Sequence, residues 1–265
     1  MARLLVRFKS GDFERKGYLG DEIRDLLPKV REIHNDAFHF FYELAEYAQK
    51  RFTQLTSSPA GSRQKMLAIA FFAKILAGTQ AGCILSNHGL AVDARTVLRS
   101  ALDALFLLRK TVKEPGFSKR YYDADDLKRL NRMKEYFKQT RDHETVDSIQ
   151  GRIDEDGLKK LENIEKLAAS VGMSDQYKRL YRIFCDDAHG NPRSLQRPAL
   201  PSGDLDWGPQ FGYAPADVLV GSYLLLVALW QLESLSDLKS ETELHAFRER
   251  LTAMVPKYLP SEKSS

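Results

Sequence analysis

The sequence predicts an all-α fold, a single-domain helical bundle, on three observations. Apolar residues recur at intervals of three and four along most of the chain, the period of an amphipathic helix. Gly, Pro and Ser clusters fall between these runs at helix-length spacing, where such residues end one helix and start the next. Two stretches, 67–85 and 218–232, are apolar nearly throughout, as helices inside a core are.

The elements follow in order. Residues 21–54 form a long amphipathic segment with Pro28 in its first turns and Leu26, Leu27, Val30, Ile33, Phe38, Phe41, Leu44 and Ala45 on its apolar side. The loop Ser57-Ser58-Pro59-Ala60-Gly61 stops it, and Ser62 is placed to cap a second helix that ends near His88-Gly89. A third helix runs from Asp93, an expected N-cap, to about Val112, before Pro115-Gly116. Residues 117–141 read as a charged helix followed by a polar connection. Residues 153–171 and 175–189 read as two further helices split at Gly172, with Gly190 and Pro192 as the stop.

A long irregular stretch, 191–214, comes next, holding Pro192, Pro198, Pro201, Pro209, Gly203, Gly208 and Gly212. It has room for a short β-hairpin, and structureless loops of this length are commonly either functional or flexible. Helices over 215–235 and 241–255 close the domain. In outline, residues 1–20 are a poorly defined N-terminal segment, 21–258 the helical domain and 259–265 a frayed tail.

Composition limits the function classes. The 265 residues carry 40 basic and 36 acidic side chains, a net charge of +4, and the pI is near 8.9. That balance admits an anionic partner such as RNA without demanding one. Cys83 and Cys185 are the only cysteines, too few for a disulfide framework or a four-thiolate zinc site. The apolar run Leu4-Leu5-Val6 is broken by Arg7, so no signal peptide is expected and the cytoplasm is the default. Lys74 interrupts the 67–85 run, and a charge at mid-bilayer costs about 2.5–3.5 kcal/mol, so no membrane association is expected. There is no phosphate-binding Gly-rich loop, no Gly-x-Ser-x-Gly elbow and no His-Glu-x-x-His. Neither a cofactor nor a bound metal is expected; Asp36/His39 and Asp186/His189 have the Asp-x-x-His spacing, but composition alone places an acidic residue three before a His about once.

Chemistry concentrates on the predicted helix ending at His189. At about 100° per residue, Arg182, Cys185, Asp186 and His189 share a stripe, opposite a core-facing side of Tyr177, Leu180, Ile183, Phe184 and Ala188. An Arg and a His two turns apart suit phosphodiester chemistry, the first holding phosphate oxygens and the second moving a proton. Composition alone also predicts about one Arg-x(4–6)-His pair, so the spacing carries no weight by itself. Two other features stand out: the Arg95, Arg99, Asp103 ladder on the third helix, and a basic run with Lys128, Arg129, Arg132, Lys134, Lys138 and Arg141 around Tyr136 and Phe137. Lys128, Arg129, Arg132 and Lys138 are the candidate RNA-binding residues, because basic groups interleaved with aromatics suit single strands.

The run Ala94-Arg95-Thr96-Val97-Leu98-Arg99-Ser100-Ala101-Leu102-Asp103-Ala104-Leu105-Phe106 resembles the first signature of an uncharacterised bacterial helical family, domain of unknown function 5677. The run Tyr177-Lys178-Arg179-Leu180-Tyr181-Arg182-Ile183-Phe184-Cys185, closing on His189, resembles its second. Asp103 stands where Glu is expected, and Cys185 where Ser is expected. The family in turn resembles the HEPN helical nucleases, which use an Arg-x(4–6)-His motif without metal, usually as dimers. This resemblance implies Arg182 on the scissile phosphate and His189 as proton carrier, supported by Arg99, Asp103, Asp186 and Tyr181. It implies a homodimer, RNA as substrate, and an antitoxin or defence-system partner protein. Ile183 departs from the polar residue that usually follows the motif's Arg. The alternative is a non-catalytic interaction or regulatory module in which the Arg/Asp/His stripe is structural.

Overall fold

The computed structural model describes residues 12–57, 61–188, 208–235 and 241–258, and all regular structure among them is helical. A short α1 (Asp12–Lys16) and a 3-10 turn (Gly17–Leu19) lead into α2 (Asp21–Ile33) and α3 (Asn35–Thr56). α4 (Arg63–Asn87), α5 (Ala91–Lys113) and α11 (Ala214–Glu233) form the centre. Between α5 and α11 come α6 (Phe117–Gln139), α7 (His143–Glu155), α8 (Ile164–Ser170) and a continuous stretch: α9 (Ser174–Gln176), a π-helical segment (Tyr177–Tyr181) and α10 (Arg182–Ala188). α12 (Glu241–Tyr258) comes last.

The centre closes on Leu98 of α5, which is fully buried. A Cβ on Gly82 of α4 would stand 2.9 Å from Leu98 Cδ2, and one on Gly221 of α11 would stand 3.5 Å from it. Missing side chains on two helices thus make the socket for a side chain of the third, an interlock of the kind close-packed cores require. α4 and α11 are long and apolar enough to cross a membrane, but half of the α4 window and two-thirds of the α11 window are buried inside the bundle.

Several boundaries differ from the sequence reading, each for a local reason. The 21–54 segment is two helices, broken at His34 (φ −115°, ψ 31°). There the imidazole packs edge-on against Tyr258 of α12, ring centroids 5.9 Å apart, so the break lies where the last helix docks. Ser62 does cap α4, accepting from the Lys65 amide at 3.2 Å. α5 begins at Ala91 and not at Asp93. Gly89 (φ +75°) turns the chain while the Leu90 amide still bonds the Leu85 carbonyl at 3.0 Å. Asp93 therefore falls in the first turn, where the helix dipole favours a carboxylate.

The expected helix over 153–171 is instead the end of α7, a non-helical run and α8. Gly157 (φ +59°) ends α7, and the Asn163 side chain caps α8 by accepting from the Lys166 amide at 2.9 Å. α7 itself was hidden by its polar sequence, although Asp142 caps it through the Thr145 amide at 3.0 Å. α6 and α7 make a hairpin with a small core of its own, Leu127, Leu130, Ile149 and Ile153. The room for a β-hairpin within 191–214 lies largely outside the described residues. Its far end is anchored: the Gln210 amide donates to the Gly89 carbonyl at 2.8 Å.

Candidate functional site

The π-helical segment places two tyrosines in register. Tyr177 and Tyr181 stack at 5.0 Å with their planes 19° apart. A wide turn of this kind resets the phase of the helix that follows, so a uniform wheel does not run through to α10. Arg182 is exposed, as the stripe predicted. Ile183, expected in the core, is 45% exposed, whereas Asp187, not singled out in the sequence, is buried beside Phe184. An acid can occupy a core position only if a partner compensates it, and the partner is Arg95.

Arg95 does not join the i,i+4 ladder with Arg99 and Asp103; it turns inward. Its Nε donates to Asp217 Oδ1 at 2.9 Å, its Nη1 to Asp187 Oδ2 at 3.4 Å, and its guanidinium lies 4.7 Å from the centre of the Tyr213 ring. Burial alone would lower the Arg95 pKa; the two carboxylates outweigh it and raise it. α5, α10 and α11 are therefore tied by one buried cation. Sequence reasoning missed Arg95 and Asp217 as an internal pair, yet a signal was present: Arg95 shares the stripe of Ala91, Leu98 and Leu102, and Asp217 sits between Pro215 and Val218.

A second cluster brings together three of the four expected supporting residues. The Arg99 guanidinium lies over the Tyr181 ring, 5.8 Å from its centre. The Tyr181 hydroxyl sits close enough to the Asp103 carboxylate and the Cys185 side chain for each to act on its ionisation. Burial pushes the Asp103 carboxyl above its ordinary value, against the pull of Arg99, Tyr181 and Lys74. Burial likewise raises Tyr181, helped by the neighbouring Asp103 and Cys185. The fourth supporting residue, Asp186, is half-buried on α10. His189 lies outside the described residues, which reach Ala188 on this side.

Of the two Asp-x-x-His pairs, the first is divided between different partners. Asp36 accepts from Lys257 Nζ at 2.7 Å and from the Tyr258 hydroxyl, while His39 pairs with Glu43 at 2.9 Å. No cluster of three or more metal-ligating side chains occurs among the described residues.

The four candidate RNA-binding residues, Lys128, Arg129, Arg132 and Lys138, are all exposed on α6. Lys138 pairs with Glu135 at 2.8 Å and Arg129 with Asp126 at 3.9 Å.

Compared with known proteins, residues 65–200 match the model of a family of unknown function, DUF5677. The matched segment runs from α4 past α10 and contains Arg95, Arg99, Asp103, Tyr181, Arg182 and Asp187, while Asp217 lies beyond it. No curated protein and no solved structure matches the chain.

Proposed function

The chain belongs to the family of unknown function DUF5677, and from the residues which that segment brings together we propose a metal-independent endoribonuclease acting through Arg182 and His189. The observation that carries this reading is the capture of Asp187 by Arg95. It pins the last described turn of α10, just ahead of His189 in the chain, while Arg182 stands in solvent seven residues before that histidine in sequence.

In the proposed reaction the ribose 2′-oxygen attacks phosphorus and the bond to the 5′-oxygen breaks. The products are a 2′,3′-cyclic phosphate and a 5′-hydroxyl end. The 2′-hydroxyl proton goes to a base and the leaving oxygen receives one from an acid. Arg182 would neutralise the non-bridging oxygens by charge-assisted hydrogen bonds, and His189 would act as base or acid. One imidazole serves one of these roles at a time, which favours a homodimer that pairs two sites. A cytoplasmic toxin or antiphage-defence setting, with an antitoxin or other partner protein, suits such an activity.

The test is induced expression of wild type beside Arg182→Ala and His189→Ala, following growth and total RNA. Growth arrest with RNA fragmentation in wild type alone is the expected result. Fragmentation that persists in His189→Ala would remove the assignment.

A second reading is a non-catalytic interaction module. It is favoured by the way Arg99, Asp103, Tyr181 and Cys185 cluster inside the chain's own helices, as an internal network does. Under it, partner binding survives His189→Ala.

A further inference from the structure

We propose that the outward face of α6 is a binding surface for single-stranded RNA, with Tyr136 as the ring on which a base stacks. The surface rests on the endoribonuclease reading only for the choice of ribose over deoxyribose.

Leu127, Leu130 and Phe137 turn toward α7, which leaves Arg132, Tyr136 and Gln139 on the opposite side of α6, spaced by three and four. Tyr136 is 62% exposed, and its neighbour Met133 is 48% exposed. The Tyr136 ring is held edge-on against Phe137 at 5.4 Å and 79°. Phe137 in turn packs on the hairpin's own core, so the ring is presented to solvent on a fixed support. Asn131, Arg132, Glu135, Tyr136 and Gln139 line a shallow hollow of about 400 Å³.

Charge selects the occupant. Lys128, Arg129, Arg132, Lys134, Lys138 and Arg141 stand against Glu135 in this run, and the Glu135 carboxylate is already held by Lys138 at 2.8 Å. Arg132 has no ion-pair partner among the described residues, whereas Arg129 shares Asp126 at 3.9 Å. An arginine beside an exposed, supported ring offers one contact to a phosphate and one to a base face, the combination that binds single strands without reading their sequence. A protein-docking patch of similar size would be expected to be less charged at its centre.

The experiment is fluorescence anisotropy with a labelled oligouridine of about 12 nucleotides, using the full chain carrying His189→Ala so that the probe stays intact. Tyr136→Ala is expected to weaken binding roughly tenfold or more, the loss of one stacked base, while Tyr136→Trp retains it. Arg132→Ala should flatten the salt dependence of log affinity by about 0.7, one phosphate contact on a single strand. Binding unaffected by Tyr136→Ala and Arg132→Ala overturns the proposal, as does absence of binding at low salt, which would point to a protein partner. Equal affinity for an oligothymidine of the same length overturns the RNA assignment in favour of single strands in general. Cleavage of the same oligouridine by wild type is scored separately. Tyr136-dependent binding without cleavage would leave the surface in place and remove the nuclease reading.

Discussion

Arg95 and Asp217, 122 positions apart in the chain, meet inside the bundle at 2.9 Å, with Asp187 as the second carboxylate on the same guanidinium. Removing the cation leaves two acids buried without it. Arg95→Met is therefore expected to destabilise the protein by about 3–5 kcal/mol. Replacing all three together, Arg95→Met with Asp187→Leu and Asp217→Leu, should recover much of that loss, because an apolar cluster leaves no uncompensated charge. Urea unfolding of the two variants against wild type checks this, and a triple variant no more stable than the single one would show the charges to be needed for packing.

Arg182 gives the opposite expectation. Its side chain is exposed, so Arg182→Ala should shift stability by no more than about 0.5 kcal/mol while abolishing RNA fragmentation. Thermal unfolding measured beside the activity assay separates a missing functional group from a damaged fold.

The turn at Gly89 is sensitive for two reasons. Its φ of +75° is one that L side chains rarely adopt, and an added Cβ would come within 2.6 Å of Pro209 Cβ. Gly89→Ala should cost more than about 1 kcal/mol and should detach the Gln210 amide from the Gly89 carbonyl. Proteolysis near residue 210 and a lowered unfolding midpoint are the readouts.

Much of the fold was legible, because α3 and α5 carry long apolar stripes and α4 and α11 are apolar nearly all round. α7 was not, since its two core residues, Ile149 and Ile153, are spaced among polar ones and pack into a small cluster with Leu127 and Leu130 of α6. The site divides the same way. Tyr181, Arg99 and Asp103 come together, but Arg95, read as one rung of a ladder with Arg99 and Asp103, pairs elsewhere. Helical spacing gives the face a residue occupies; it does not say that a charge on the apolar face has a partner 122 positions away.

Asp103 and Asp36 should titrate with opposite effects on stability. Burial raises Asp103 above its ordinary 3.8 despite Arg99, Tyr181 and Lys74. Between 3.8 and the raised value the folded state binds more protons than the unfolded one, so this group makes stability fall as pH rises through that window. Burial would also raise Asp36, but hydrogen bonds from Lys257 and Tyr258 outweigh it and lower the value below 3.8. Its contribution is present above 3.8 and is lost as pH falls through the lowered value. Unfolding midpoints followed from pH 3 to pH 7, a range set around the carboxylate value, check both signs. Asp103→Asn should gain on wild type as pH rises, and Asp36→Asn should lose ground to wild type over the same rise.

The separate core of the α6–α7 hairpin also bears on the order in which parts of the protein open. Four apolar side chains from two helices hold it together, whereas α4, α5 and α11 share the large central cluster. Units with little buried apolar surface open locally at a lower free energy than the global value. Amide protons of 143–155 are thus expected to exchange by a sub-global route while those around Leu98 wait for complete unfolding. The hairpin is then a cooperative unit of its own, able to melt and re-form while the helices carrying Arg95 and Asp217 stay closed.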